Sequence, residues 1–208
     1  MKIIIADDHL VVRFGLTEML RSSFPSAEIE EADDAEGLFK KMLRGKYDLV
    51  ILDLSMPGRS GLEALQQIKT SYPGTPVLIF SGQPEEQYAV RVLKAGASGY
   101  LTKNSAPDEV IKAVNALLLG KKYITPSIAD QLVLSLDEKR NKLPHELLST
   151  REFEVMKLIA SGKTVSEIAE QMMLSVTTIS TYRARICHKM NLGSNAQIVV
   201  YCIENKLL

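Results

Sequence analysis

The chain has 208 residues, 46% hydrophobic and 24% charged, with 25 Lys+Arg balanced by 25 Asp+Glu. These values, with 12 Gly and 8 Pro, exclude collagen-like, coiled-coil and wholly disordered chains. Cys187 and Cys202 offer neither a disulfide framework nor a zinc-ligand spacing, and no apolar run nears the roughly 18 residues of a membrane span, so the expectation is a reduced, cytoplasmic protein with no membrane partner.

Residues 1–120 alternate short apolar runs with helical periods. The predicted strands are Ile3–Asp7, Glu28–Glu31, Leu49–Leu52, Val77–Phe80 and Gly99–Leu101, and the helices between and after them are Val11–Ser22, Ala35–Leu43, Leu62–Thr70, Glu86–Lys94 and Asp108–Leu119. Five βα units imply an α/β domain with a five-stranded parallel, doubly wound sheet. Gly120 stops the last helix, Thr125–Leu136 reads as one more, and the polar stretch 137–142 follows; residues 121–147 are therefore read as a partly helical linker. From 148 to 208 no strand signal remains. Ser149 with Glu152, and Thr164 with Glu167, fit capping boxes that open two helices. Gly162 closes the first, Met173-Leu174-Ser175 turns the second into a third at Val176–Met190, and a fourth ends near Asn205. This is an all-α four-helix unit on the plan of a helix-turn-helix module.

In an open parallel sheet, ligands bind outside the carboxyl ends of the strands. Those ends carry Asp7 and Asp8, Asp53 and Ser81, with Lys103 shortly after the fifth strand. If the strand order is 2-1-3-4-5, the three carboxylates converge, and their mutual repulsion calls for a cation. A hard divalent ion held by oxygens, with positions left for water and phosphate, suits Mg²⁺. Lys103 and the Ser81 hydroxyl then meet the oxygens of a phosphoryl group on one carboxylate. Each residue alone also fits a helix cap, a solvated turn or surface; their joint placement at the strand ends points to the site. His9 reads as an exposed loop residue.

Residues 1–120 resemble the receiver domain of two-component response regulators, which has a flavodoxin-like fold. The likeness rests on Asp7-Asp8, the run Asp53 to Gly58 with Gly61, Phe80-Ser81-Gly82, and the run Lys94 to Lys103. It implies that Asp53 is the phospho-acceptor, that Asp7, Asp8, Asp53 and the Ser55 backbone carbonyl hold Mg²⁺, that Ser81 and Lys103 contact the phosphoryl oxygens, and that Ser81 and Tyr100 are switch residues. Asn104 departs from the pattern, since many receivers have a Pro there after a cis peptide, and the isomer of the Lys103-Asn104 bond stays open.

Net charge is −3 over residues 1–120 and +1 over 143–208, so the basic footprint is local. Within 177–190, Arg183, Arg185 and Lys189 occur with no acid. Ile179, Tyr182, Ile186 and Met190 form an apolar stripe, opposite Thr177, Ser180, Thr181, Ala184 and His188. Small polar side chains flanked by cations suit a major groove, hydroxyls and methyls meeting base edges and cations meeting phosphates. Residues 148–203 resemble the effector domain of NarL/FixJ (LuxR-type) regulators through Leu148 to Glu152 with Glu154-Val155, Ile159 to Thr164, Glu167-Ile168-Ala169, Leu174-Ser175 with Thr178-Ile179, and Arg185-Ile186 with Lys189-Met190. Tyr182 stands where His is frequent, and Thr177 and Ser180 where Lys is frequent. The resemblance implies a DNA-contacting set of Thr177, Thr178, Ser180, Thr181, Arg183, Ala184, Arg185 and Lys189.

The reading is a response regulator that a sensor histidine kinase phosphorylates, that dimerises and binds double-stranded DNA, and that addresses the transcription machinery without being an enzyme toward an external substrate. A hydrolase of similar fold is disfavoured because Ser55, not an acid, stands two residues after Asp53. The hydrolase would also leave the basic helix unexplained; the other alternative, a protein-binding adaptor whose helix-turn-helix contacts no DNA, is separated from this reading by salt-dependent DNA retention.

Overall fold

The computed structural model describes residues 1–137 and 143–208, which form two compact units dividing at Ser135/Leu136. The stretch 138–142, which the sequence assigns to the linker, lies outside the described residues.

In the first unit, β1 (Lys2–Ala6), β2 (Glu28–Ala32), β3 (Leu49–Leu52), β4 (Val77–Ser81) and β5 (Gly99–Thr102) form one parallel sheet in the order 2-1-3-4-5. The crossovers are α1 (Leu10–Ser23), α2 (Ala35–Met42), α3 (Gly61–Ser71) and α4 (Glu85–Lys94), with α5 (Pro107–Leu118) after β5. Successive strand residues point to opposite faces. Ile3, Ile5, Leu49, Ile51, Leu78, Phe80 and Leu101 therefore share one face, buried together with Leu16 and Leu20 of α1 and Val110, Val114 and Leu117 of α5. Ile4, Val50, Leu52 and Ile79 lie between them in sequence and are equally buried. Strands covered on both sides read as near-continuous apolar runs.

The unit runs past the end of α5. Tyr123 extends the sheet edge through a parallel bridge to Gly99, its N–H donating to the Ser98 carbonyl at 3.0 Å. Gly99 makes room for it: a Cβ there would lie 3.0 Å from the Tyr123 carbonyl oxygen. Helix α6 (Pro126–Asp137) follows, with Ile128 fully buried and the Thr125 hydroxyl donating to Glu85 at 3.1 Å.

Within the second unit, a 3-10 turn at Pro144–Leu147 precedes α7 (Thr150–Ala160), α8 (Val165–Gln171), α9 (Val176–Met190) and α10 (Asn195–Glu204). Both capping boxes are formed, from Ser149 to Glu152 and from Thr164 to Glu167. Helix α7 packs against α9 and α10, and α8 against α9. Phe153, Met156, Ile168, Ile179, Ile186, Ile198 and Cys202 are the buried centre.

Candidate functional site

The parallel ladder brings the acidic strand ends together. Asp7 N–H donates to the Ala32 carbonyl at 3.1 Å, Asp53 N–H to Ala6 at 2.8 Å, and Lys103 N–H to Ser81 at 2.8 Å. Each functional side chain thus hangs from a backbone fixed by the neighbouring strand. Asp7 and Asp53 are both 2% exposed, and Ser81 is fully buried. Candidate ligand atoms of Asp7, Asp8, His9 and Asp53 all lie within 4.8 Å of one another.

Lys103 occupies the middle of this group. Its Nζ is 2.7 Å from Asp7 Oδ2 and 2.9 Å from Asp53 Oδ2. Burial alone would lower the lysine pKa, but hydrogen bonds and Coulomb attraction from Asp7 and Asp53 outweigh it and hold the ammonium above its ordinary value. One cation does not satisfy three carboxylates. Among the described residues Asp53 Oδ1 is buried and has no hydrogen-bond partner, and an unpaired buried charged group is costly. A hard divalent cation beside Asp7, Asp8 and Asp53 removes that cost, so the donor set fits such an ion.

The surrounding loops hold the carboxylates in place. A Cβ on Gly61 would sit 2.0 Å from the Asp53 carbonyl oxygen and 2.6 Å from Leu54 Cα, so only glycine lets the start of α3 lie against this backbone. The Ser60 hydroxyl and the Glu63 carboxylate close a capping box there. Arg13 of α1 donates to the Asp7 carbonyl at 2.6 Å.

Ser81 and Tyr100 are joined through Gln83. The Ser81 hydroxyl accepts from Gln83 N–H at 3.3 Å, the fully buried Tyr100 hydroxyl donates to the Gln83 carbonyl at 2.6 Å, and the Gln83 amide donates to the exposed Ser55 hydroxyl at 3.2 Å. Burial, followed by the neighbouring Tyr88, Glu85 and Asp53, pushes the Tyr100 phenol well above its usual pKa, so it stays a neutral donor. No cis peptide occurs among the described residues, so the Lys103-Asn104 bond is trans. His9 is 62% exposed at its side chain, yet its Nδ1 lies 2.7 Å from Asp8 Oδ1 and 3.2 Å from Asp7 Oδ1. It belongs to the acidic group, a role that its loop position alone did not reveal.

In the second unit, α9 presents Thr177, Ser180, Thr181, Ala184 and His188 to solvent, opposite buried Ile179, Ile186 and Met190. Tyr182 is half-buried. The Ser175 side chain caps the helix through Thr178 N–H at 3.0 Å and meets the Thr178 hydroxyl at 2.8 Å, which ties Thr178 to the cap. Thr181 donates back to the Thr177 carbonyl at 2.9 Å, leaving its methyl and lone pairs outward. The cations differ from one another. Arg185 is exposed and makes no side-chain hydrogen bond or ion pair among the described residues, while Arg183 spends its Nε on Asn195 Oδ1 at 2.6 Å. Lys189 corrects the expectation that all three flank the outward stripe alike: its Nζ lies 2.7 Å from the buried Glu152 carboxylate. Desolvation alone would raise the Glu152 pKa, but Lys189 and the Ser149 amide and hydroxyl hold it below the ordinary value. A buried carboxylate on α7 needs a cation, and the last turn of α9 supplies it.

Residues 3–115 match the family described as "Response regulator receiver domain", and residues 146–202 match "Bacterial regulatory proteins, luxR family". The chain belongs to the LuxR-type response regulators. One similar regulator is the oxygen regulatory protein NreC of Staphylococcus carnosus, 38% identical over 100% of this chain and 99% of that one. Another is the response regulator GacA of Pseudomonas syringae, 34% identical over 100% and 97%. Among solved structures, this regulator is similar to RcsB of Salmonella typhimurium, with a TM-score of 0.70, 27% identity and 97% of this chain against 96% of that one. RcsB of Salmonella enterica serovar Typhimurium, bound to promoter rprA in the presence of the phosphomimetic BeF3⁻, gives a TM-score of 0.64 at 27% identity, covering 97% and 98%. The regulator therefore joins a receiver to a LuxR-type DNA-binding domain. No helix among its described residues is long and apolar enough to cross a membrane.

Proposed function

We propose that a sensor histidine kinase transfers a phosphoryl group to Asp53, and that the modified receiver favours a homodimer whose α9 helices bind double-stranded DNA in sequence-specific fashion and so control transcription. The observation that carries this reading is the state of Asp53: one buried oxygen bonded to Lys103 and the other without a partner, beside Asp7 and Asp8. Asp7, Asp8, Asp53 and the Ser55 carbonyl would hold Mg²⁺, which when bound offsets the negative charge of donor and acceptor. Lys103 then faces the added phosphoryl oxygens. The Ser81 hydroxyl moves toward them, and through Gln83 the buried Tyr100 changes its place. A phosphoryl shifts such an equilibrium only by its differential interaction with the two states.

On this reading the receiver spans 1–120, the linker 121–147 and the DNA-binding domain 148–208. Promotion of its own phosphorylation and dephosphorylation is the receiver's chemistry, performed in the cytoplasm where kinase, promoter and transcription machinery meet. Thr177, Ser180, Thr181 and Ala184 would face base edges, and Arg183 and Arg185 phosphates. The absence of a membrane-spanning helix among the described residues and the promoter-bound state of RcsB support it. Incubation with acetyl phosphate and Mg²⁺, followed by intact-mass measurement, tests the acceptor. One phosphoryl per wild-type chain and none on Asp53→Asn is expected; equal labelling of both overturns the assignment.

A further inference from the structure

We propose that Asn195, the first residue of α10, is a positioning residue that holds the Arg183 guanidinium ready for a DNA phosphate, so that DNA affinity depends on α10 as well as on α9. The inference rests on the reading of α9 as the DNA-binding helix and gives a part in it to a residue outside that helix. The Arg183 Nε–H donates to Asn195 Oδ1 at 2.6 Å, across 12 residues of chain. Arginine carries no acceptor, so the carbonyl end of the Asn195 amide is the end that faces it. The turn between the helices sets this meeting. Asn191 closes α9 in the left-handed conformation at φ 54°, Leu192 N–H donates to the Cys187 carbonyl at 2.9 Å, and the Ser194 hydroxyl caps α10 by accepting from Gln197 N–H at 3.3 Å. Ser194 does the work of the cap, and the exposed Asn195 side chain takes no part in it. Its one side-chain partner among the described residues is Arg183, about two turns before the end of α9.

This contact sets the two arginines of α9 apart. Arg185 is exposed and has no side-chain partner among the described residues, so a phosphate that it meets must also immobilise it. Arg183 is half-buried and already anchored through Nε. Because the guanidinium is planar, fixing Nε also fixes the direction of its fork. Both terminal nitrogens of that fork are without a partner among the described residues, and they are donors only. A fork of charged donors suits the acceptor-only oxygens of a phosphate, and phosphate contacts are the ones that set the orientation of a protein on the duplex. Arg183 also stands three residues after the outward-facing Ser180, on the neighbouring turn, so a phosphate beside the groove is within its direction of approach. Ordering the side chain before DNA arrives removes that ordering cost from the binding step.

The test uses the full chain with beryllofluoride and Mg²⁺, and duplex DNA selected from a random library. Affinity is read by fluorescence anisotropy across a salt titration for wild type, Arg183→Ala, Asn195→Ala and the double variant. Asn195→Ala is expected to weaken binding by roughly two- to tenfold, the range for ordering one long side chain, and to keep the wild-type salt slope, because it removes no charge. Arg183→Ala should weaken binding and flatten the slope by about 0.9. Added to Arg183→Ala, Asn195→Ala should cost less than about twofold more, since the group it positions is gone. A spectroscopic reading without DNA completes the test: the Arg183 Nε–H resonance, identified by its absence from Arg183→Ala, should be protected from solvent exchange in wild type and lose that protection in Asn195→Ala. Unchanged affinity for Asn195→Ala, an equal loss from it with and without Arg183, or an Nε–H that exchanges equally in wild type and Asn195→Ala overturns the role of Asn195 and leaves DNA binding by α9 standing. Wild type that retains no DNA overturns both.

Discussion

Replacing Lys189 by Ala separates two roles for a basic residue on α9. The Glu152 side chain is 2% exposed and that of Lys189 39%, at 2.7 Å. A fully exposed pair contributes about 0 to 1 kcal/mol, and removal of one partner from a fully buried pair costs about 3 to 5 kcal/mol. This pair lies between those limits. Glu152 keeps the Ser149 N–H at 2.7 Å, and Lys189 is itself partly exposed, which together keep the cost below that of a fully buried pair. The expected loss is about 1 to 3 kcal/mol, the cost of leaving a buried acceptor short of one charged donor. Hydrogen-exchange mass spectrometry on the full chain reads this directly: amides of α7 and α9 should open more readily by about five- to 150-fold, at 1.4 kcal/mol per tenfold. A salt titration of DNA binding by the same variant should keep the wild-type slope, because Lys189 is occupied by Glu152. Arg185→Ala should do the reverse, leaving exchange unchanged and flattening the slope of log affinity against log salt by about 0.9. Unchanged exchange together with a flattened slope for Lys189→Ala would show that Lys189 serves phosphate and not Glu152.

Gly61→Ala should destabilise the first unit by about 1 to 3 kcal/mol through overpacking against the Asp53 carbonyl, and slow acetyl-phosphate labelling, whereas Gly82→Ala, with open space around its Cβ position, should leave stability unchanged; urea unfolding and intact mass compare them. Ser180→Ala with Thr181→Ala should keep the salt slope while reducing the ratio of specific to scrambled-sequence affinity by roughly 1 to 3 kcal/mol if a good base contact is lost, and a full ratio would move the reading face to Thr177 or Ala184. Acid should release α7 from α9: the folded Glu152 pKa lies below its ordinary 4.5, so its contribution is complete above pH 4.5 and is lost as pH falls through the depressed folded value, which exchange rates from neutral pH downward check against Glu152→Gln.

Where local patterning dictates structure, the sequence was readable to within a residue or so at most element ends. Strand β3 and helix α9 coincide with their predicted bounds, because an apolar run between polar residues and a capped amphipathic period each have a single local solution. The convergence of Asp7, Asp53 and Lys103 followed from topology, since carboxyl ends of neighbouring parallel strands must meet. What stayed hidden depends on partners far apart in the chain. Lys189 meets Glu152 across 37 residues, and a capping-box Glu offers no sign that it is also buried against another helix. Tyr123 extends the sheet edge because Gly99 leaves a space there, and Ile128 is fully buried, neither of which a reading of residues 121–147 as linker could show. His9 reads as loop because its place directly after an acidic pair gives no sign that its ring turns back onto Asp7 and Asp8 and joins Asp53, which lies far off in the chain.

The central claim is that the charge state at Asp53 governs DNA binding by α9, and a single titration addresses it: fluorescence anisotropy of a DNA site selected from a random library, at fixed salt and Mg²⁺, with and without beryllofluoride, for wild type and Asp53→Asn. The account predicts tighter binding by wild type when beryllofluoride is present and no response from Asp53→Asn. Equal affinity for wild type in both conditions, or the same response from both proteins, would contradict it.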